Sequence, residues 1–374
     1  MYLAIREMRF AKVRYSLIGI IMLLVAFLVL FVTGLAQGLA YDNAASIQNM
    51  DASHFIMEKD SNHRFTRSQI DEQVTVQAGL IAGAENVQPL GVHMTTVTAE
   101  GNSGKMDVTY LGIKADGWIM PSVTEGEALS LEGRGQVVVD SKMKELGIGV
   151  GSVIVDQTTG LNWTVGGFVS HESFSHSPVV FLNENDWRHL QESAVRPDEN
   201  GTEGGLIYNA IAVKSSNEEA KQLAAALPDA EIITKSDAVS AIPGYKEEQG
   251  SLLMMIVFLY IISSFVLAVF FYVITIQKTS QFGILKAIGT PASHLARSVA
   301  LQVMLIAISS LLVSVMVVQA VEALLPSGMP FRLPVSALLL TSAAFIAMSL
   351  AGSLLSVWKV AKIDALDAIG RTAT

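Results

Sequence analysis

The sequence predicts an α-helical integral membrane protein: four transmembrane helices, with an α+β extracytoplasmic domain inserted between the first and second. Three observations carry this. The chain of 374 residues is 51% hydrophobic and only 16% charged, against about 25% charged in an ordinary soluble domain. Its mean hydropathy is +0.45. Charge is also segregated: residues 40–250 hold 30 acidic against 14 basic side chains, and the remainder holds 11 basic against 4 acidic.

Four stretches are long enough to cross a hydrocarbon core of roughly 20 apolar residues: 16–39, 251–276, 296–321 and 335–357. Arg297 opens the third, where its head can snorkel to the interface. The apolar run in 16–39 exceeds the ~7–15 residues of a signal-peptide core, so the first span is expected to be retained. Residues 1–15 mix Leu3, Met8 and Phe10 with Arg6, Arg9 and Lys12, a pattern suited to a cytoplasmic amphipathic helix on the membrane surface.

Short basic loops mark the cytoplasmic side. Arg6, Arg9, Lys12 and Arg14 precede the first span, Lys278 and Lys286 lie in 277–295, and Lys359, Lys362 and Arg371 lie in the tail 358–374. Both termini are therefore expected inside a cell membrane. The acidic segment 40–250 and the turn 322–334, with Pro326, Pro330 and Pro334, are then expected outside. No broad basic surface for nucleic acid is present.

Within 40–250, residues 44–70 and 218–227 read as helical. Period-2 or β-rich runs fall at 54–57, 87–97, 106–111, 136–139, 153–155, 163–169, 179–181 and 210–213. Residues 198–205 read as a loop, and the domain is expected to join the first two spans without a long linker. Gly34 and Gly38, and Ala343, Ala347 and Ala351, offer small surfaces for close helix contact.

Catalytic signatures are missing. The chain has no cysteine, which excludes disulfides and thiolate chemistry. Gly101-Asn-Ser-Gly-Lys105 imitates a phosphate loop, but its spacing is wrong and Met106 replaces the metal-binding hydroxyl. The chain is thus not expected to hydrolyse ATP, and no catalytic or metal site is assigned. His171-Glu-Ser-Phe-Ser-His176 can be read as a divalent-cation or haem-edge cluster, or as a solvated loop; the second reading is preferred.

The informative cytoplasmic stretch is Gln277–Ser293. Gly289 is a natural helix stop, Thr290 can cap the next helix and Pro291 suits its first position. Phe282, Ile284, Leu285 and Ile288 form an apolar patch on a short helix that should meet water. The patch suits either the bilayer surface or a groove on a soluble partner.

Phe282-Gly-Ile-Leu-Lys-Ala-Ile-Gly289 resembles the coupling-helix motif of FtsX/MacB-type ABC permeases. The tail Ala361-Lys-Ile-Asp-Ala-Leu-Asp-Ala-Ile-Gly370 resembles their C-terminal signature, with Ala365 where Pro is usual. Leu146-Gly-Ile-Gly-Val-Gly-Ser152 and Trp163-Thr-Val-Gly-Gly167 resemble the family's external sheet. Gln281–Gly289, Ala296-Arg297-Ser298, Gln302 and Ile363-Asp364 look most like the hemin-exporting, HrtB-type branch. The resemblance implies a homodimer in the bilayer with two ABC ATPase subunits, which would bind ATP and Mg and meet Phe282, Gly283, Ile284, Leu285, Lys286, Ile288 and Gly289. It implies export of hemin or a similar toxic amphiphile as transported ligand, with no cofactor of the chain's own. Tyr245, Glu247, Glu248, Met254, Met255 and Phe258 are the candidate hemin-binding residues; they equally suit a capped helix start at the interface. A non-transporting mechanotransmitting permease and an exporter of peptides or lipoproteins are the alternatives.

Overall fold

The computed structural model describes residues 12–101, 104–194, 206–326 and 328–361. In chain order the elements are α1 (Lys12–Asn49), β1 (His54–Glu58), β2 (Ile70–Asp71), α2 (Glu72–Ala82), β3 (Val87–Ala99), β4 (Lys105–Gly112), β5 (Glu125–Gly126) and β6 (Gln136–Asp140). There follow β7 (Val153–Asp156), β8 (Asn162–Val169), β9 (Ser173–Phe174), β10 (Ser177–Leu182), α3 (Glu184–Ala194), β11 (Ile207–Tyr208), β12 (Ala210–Val213), α4 (Asn217–Ala226), β13 (Ala230–Thr234) and α5 (Lys235–Ser240). The chain ends with α6 (Tyr245–Gln277), α7 (Thr279–Ala287), α8 (Ala292–Leu324) and α9 (Val335–Ala361). Residues 1–38 with 250–374 form one compact unit and 39–249 another. The amphipathic reading of 1–15, the loop at 198–205 and the tail signature after Ala361 fall wholly or largely outside the described residues.

Among its described residues the first unit contains four helices long and apolar enough to cross a membrane. Met22, Ala26 and Leu30 of α1 recur every four residues and meet Leu267 and Phe271 of α6, Val303, Ile306 and Leu311 of α8, and Phe345 of α9. Lipid removes the hydrophobic drive between helices, so close packing and interhelical hydrogen bonds must hold them. Ser310 Oγ donates to the Gly19 carbonyl at 3.0 Å and Ser314 Oγ to the Leu23 carbonyl at 2.8 Å. Gly34 and Gly38 are consumed within the chain. A Cβ on Gly34 would lie 2.3 Å from the Phe331 ring, and one on Gly38 would lie 2.2 Å from the Pro330 carbonyl oxygen. The segment before α9 lies on this glycine face, with Phe331 stacked on Phe31 at 5.5 Å and the Arg332 N–H donating to the Gly34 carbonyl at 3.1 Å. Ala343, Ala347 and Ala351 remain exposed, and the tight contact of α9 is made by Gly352 against the Ala268 backbone.

The second unit is α+β. β13, β1, β12 and the first part of β3 form an antiparallel layer. Successive side chains alternate faces. Ile56 joins Ile211, Val213, Ala78 of α2 and Leu223 of α4, whereas Phe55 and Met57 join Ile47 of α1, Ile233, and Ala238 of α5. The rest of β3 pairs with β4, and the pairings continue β4–β10–β6–β8–β7 and back to β3. This six-stranded ring leaves no open edge among its members. Its interior takes Val108, Tyr110, Val137, Val139, Val165, Val180 and Leu182, again at period 2. The glycines Gly91 and Gly112 face each other across β3 and β4. A Cβ on either would lie 2.2–2.3 Å from the Trp187 indole, so the pair forms the slot that seats α3.

Three expectations need correction. The helix read over 44–70 ends at Asn49, and the overlapping β-rich reading of 54–57 is the one that holds: His54–Glu58 is a buried central strand between β12 and β13. Two helices, α2 and α3, lie where none was expected. The helix read over 218–227 starts one residue earlier, at Asn217, because Ser216 and Glu219 form a capping box.

Candidate functional site

The expected coupling segment is a short helix clamped on one side. α6 stops at Gln277, and α7 ends in a Schellman turn: Gly289 takes φ +97°, its N–H donates to the Lys286 carbonyl at 2.9 Å, and the Thr290 N–H donates to the Leu285 carbonyl at 3.0 Å. Pro291, not Thr290, is the N-cap of α8, and no side chain caps that end. Spacing then divides the apolar patch. Phe282 is 5% exposed against Leu295 of α8, with Leu285 and Val299 around it. Gly283 is also buried and Lys286 half-buried. Ile284 and Ile288, four residues apart on one face, are 49% and 77% exposed. The sequence reading placed Phe282 on the outward patch; the structure makes it the anchor instead.

The candidate hemin-binding residues divide similarly. Glu247 is exposed, while Tyr245 packs against the core below β1. Glu248 Oε2 accepts from Asn43 Nδ2 at 2.7 Å and faces His176 Nε2 at 3.0 Å. The other ring nitrogen, His176 Nδ1, faces Asp42 Oδ2 at 3.3 Å. Asp42 Oδ1 takes the Lys142 ammonium and the Ser173 hydroxyl. Met254, Met255 and Phe258 lie further along α6 and are exposed.

The 171–176 segment is only partly solvated: His171 and His176 are exposed, whereas Glu172, Ser173 and Phe174 are buried. Its two histidine nitrogens point at carboxylates on opposite sides, and among the described residues no group of three or more His, Asp or Glu is placed to hold a metal ion. His171, Ser175 and His176 all take positive φ, of 60°, 50° and 64°. Such conformations cost about 1–3 kcal/mol each and persist where surroundings over-determine them. Here the Ser175 N–H donates to the Asn43 carbonyl at 2.7 Å, next to the kink in α1 at Ala44. Asn49 Nδ2 donates to the His171 carbonyl and to Glu172 Oε1, both at 3.0 Å. Glu172 is buried beside Asp140, whose Oδ2 accepts the Glu172 N–H at 2.7 Å. Burial pushes the Glu172 carboxyl up to about 7; the Asp140 charge adds to the rise and the Asn49 hydrogen bond opposes it. Asp42, Asn43, Lys142 and Ser173 were not singled out from sequence, and no local pattern marks them.

Residues 253–365 match the FtsX-like permease C-terminal family. The protein named hemin transport system permease protein HrtB in Staphylococcus haemolyticus is 30% identical over 370 residues, 99% of each chain. An ABC transporter permease of Mycobacterium tuberculosis is 26% identical over 375 residues, again 99% of each. The extracellular domain of the ABC-type transporter YknZ from Gram-positive bacteria covers 49% of this chain and 99% of its own, at 16% identity and a TM-score of 0.34, a likeness too distant to carry weight. The full-length relationship at 30% identity is decisive: the chain belongs to the FtsX-like ABC transporter permeases.

Proposed function

We propose that this chain is the permease subunit of an ABC exporter, coupling ATP hydrolysis in a separate ATPase subunit to efflux of hemin or a similar toxic amphiphile from the membrane. Two permease chains would work with two ATPases. Both termini and α7 would lie in the cytoplasm, as the Lys and Arg flanks require, with residues 40–250 outside. The observation that carries this reading is the exposed Ile284–Ile288 edge on a helix whose opposite edge is locked to α8 through Phe282 and Leu295. An apolar edge held against α8 suits the groove of a soluble motor better than a flexible tail would. The hemin assignment is supported by the name of the Staphylococcus haemolyticus relative and by the exposed Met254, Met255 and Phe258 on α6. Thioether ligands and apolar walls suit haem iron and porphyrin. Glu247, rather than the engaged Glu248, is the carboxylate open to a ligand.

Co-purification tests the core of the proposal. Wild-type chain in nanodiscs retains its ATPase, and Ile284→Asp/Ile288→Asp lowers retention about tenfold or more, as for a truncated interface anchor. Retention unchanged by the two aspartates would sink the docking assignment. Hemin titration of the wild-type dimer gives a Soret shift that Glu247→Ala/Met255→Ala weakens; an identical titration removes those ligands from consideration.

A further inference from the structure

Lys278 is the single residue between α6 and α7, and its side chain turns inward. It is 4% exposed. Its ammonium donates to Tyr15 Oη of α1 at 2.6 Å and lies 3.4 Å from Gln302 Oε1 of α8. Tyr15 Oη in turn donates to Gln302 Oε1 at 2.7 Å, and the ammonium lies 5.2 Å from the Tyr15 ring centroid. Three helices thus meet at one buried cation. The Lys278 side chain does not cap α7, and the Phe282 N–H closes the first turn of that helix on the Lys278 carbonyl at 3.0 Å.

A lysine at the end of a span ordinarily reaches out to water. Burying the head instead is expensive unless it is paired and hydrogen-bonded, and the cost of breaking such a set is high. Polar contacts of this kind also fix register, whereas the surrounding apolar contacts of α1, α6 and α8 can slide.

We infer that Lys278 is a positioning residue: its contacts with Tyr15 and Gln302 set the α6–α7 elbow and make it the point where a displacement of α7 enters α1 and α8. The second half rests on the proposed docking of an ATPase at α7; the first half does not.

The experiment exploits the cysteine-free sequence. Spin labels at Ile288→Cys and Leu312→Cys, both exposed, report the position of α7 relative to α8 in full-length chain in nanodiscs, with labelled chain diluted into excess cysteine-free chain so that each label pair lies within one chain. Wild type gives one narrow distance. Lys278→Met broadens or shifts it, Lys278→Arg restores it, and the milder Tyr15→Phe gives an intermediate width with the chain still monodisperse. A Lys278→Met distribution superimposable on wild type overturns the inference, as does a Tyr15→Phe distribution superimposable on wild type should Lys278→Met fail to fold. In the ATPase-bound complex, Lys278→Met lowers hemin efflux per ATP hydrolysed about tenfold, the size of one lost hydrogen bond to a charged group, with basal hydrolysis retained. An undiminished ratio overturns the transmission role. Absence of any bound ATPase on wild type refutes the proposed function and with it the transmission half, while the spin-label distances still decide the elbow.

Discussion

Glu172 supplies a prediction whose size and sign follow from the structure. Its carboxyl titrates near 7 in the folded protein against an ordinary 4.5. Below pH 4.5 folded and unfolded chains both hold the proton, and the group contributes no pH dependence. Between 4.5 and about 7 the unfolded chain releases the proton while the fold keeps it, so stability falls as pH rises. Above about 7 both are ionised and the full cost is present. At 1.36 kcal/mol per unit the loss totals about 3 kcal/mol. For a domain of this size each kcal/mol moves the midpoint by about 2–4 °C, which gives about 6–12 °C between pH 4.5 and pH 8. Glu172→Gln keeps an acceptor for Asn49 and removes the proton. Unfolding of the full chain in detergent can be followed by fluorescence of the buried Trp163 and Trp187. The wild-type midpoint should fall across that window while the variant stays nearly flat and is the more stable at pH 8. A small slope of the same sign should persist in the variant, because burial also holds the Asp140 carboxyl above its usual range. Parallel curves for the two proteins would show that Glu172 is not held protonated and would refute the reasoning.

Two further substitutions probe close approaches. Gly112→Ala places a Cβ 2.3 Å from the Trp187 ring; it should cost about 1–3 kcal/mol by overpacking and lower the domain's thermal midpoint, with Gly91→Ala similar. In the other unit, Gly38→Ala meets the backbone of Pro330, which cannot rotate away as a side chain can. It should displace the segment ahead of α9 and raise protease cleavage or cysteine labelling at Phe331→Cys, whereas Gly19→Ala, whose Cβ would make only an ordinary 4.0 Å contact with Ile306, should do neither.

What could be read ahead of the structure follows from the range of the forces involved. A 20-residue apolar run needs no partner to identify it, so the four spans were legible from residues alone. Strands such as Gln136–Asp140 and Ser177–Leu182 were legible because they are rich in β-branched residues and bounded by turns. Over 44–70 a helical and a β-rich reading overlapped at 54–57, and tertiary pairing decided for the strand: His54–Glu58 bonds to strands more than 150 residues away. Ring closure by β7 onto β3 has no local signature either. The coupling motif disclosed its position but not its sides. Phe282 and Ile288 are both apolar, and only the return of α8 decides which is anchor and which is edge. The cluster around His176 was out of reach for a different reason: its partners are 72 and 134 positions away, and a short polar run with two histidines reads locally as a solvated loop.

Those polar clusters also explain how two helices with largely featureless apolar surfaces keep a defined register. α1 contributes Tyr15 to one unit and Asp42 with Asn43 to the other; α6 contributes Glu248 to the second unit, and the elbow that follows it contributes Lys278 to the first. In each unit the partners of the two helices meet around one side chain, Lys278 in one case and His176 in the other. Apolar helix faces tolerate a slip of a few ångströms at little cost, since one Leu contact replaces another. The buried Lys278 ammonium does not, because a slip leaves it without hydrogen bonds at a penalty of several kcal/mol; the half-buried Asp42 and Glu248 carboxylates constrain the other end more weakly. Charge placed sparingly, at both ends of otherwise apolar helices, therefore does what greasy packing cannot: it specifies one alignment. On this reasoning His176→Ala and Lys278→Met each unpin a different end, and combining them should broaden labelled distances in both units independently, with no excess over the two single changes within either unit.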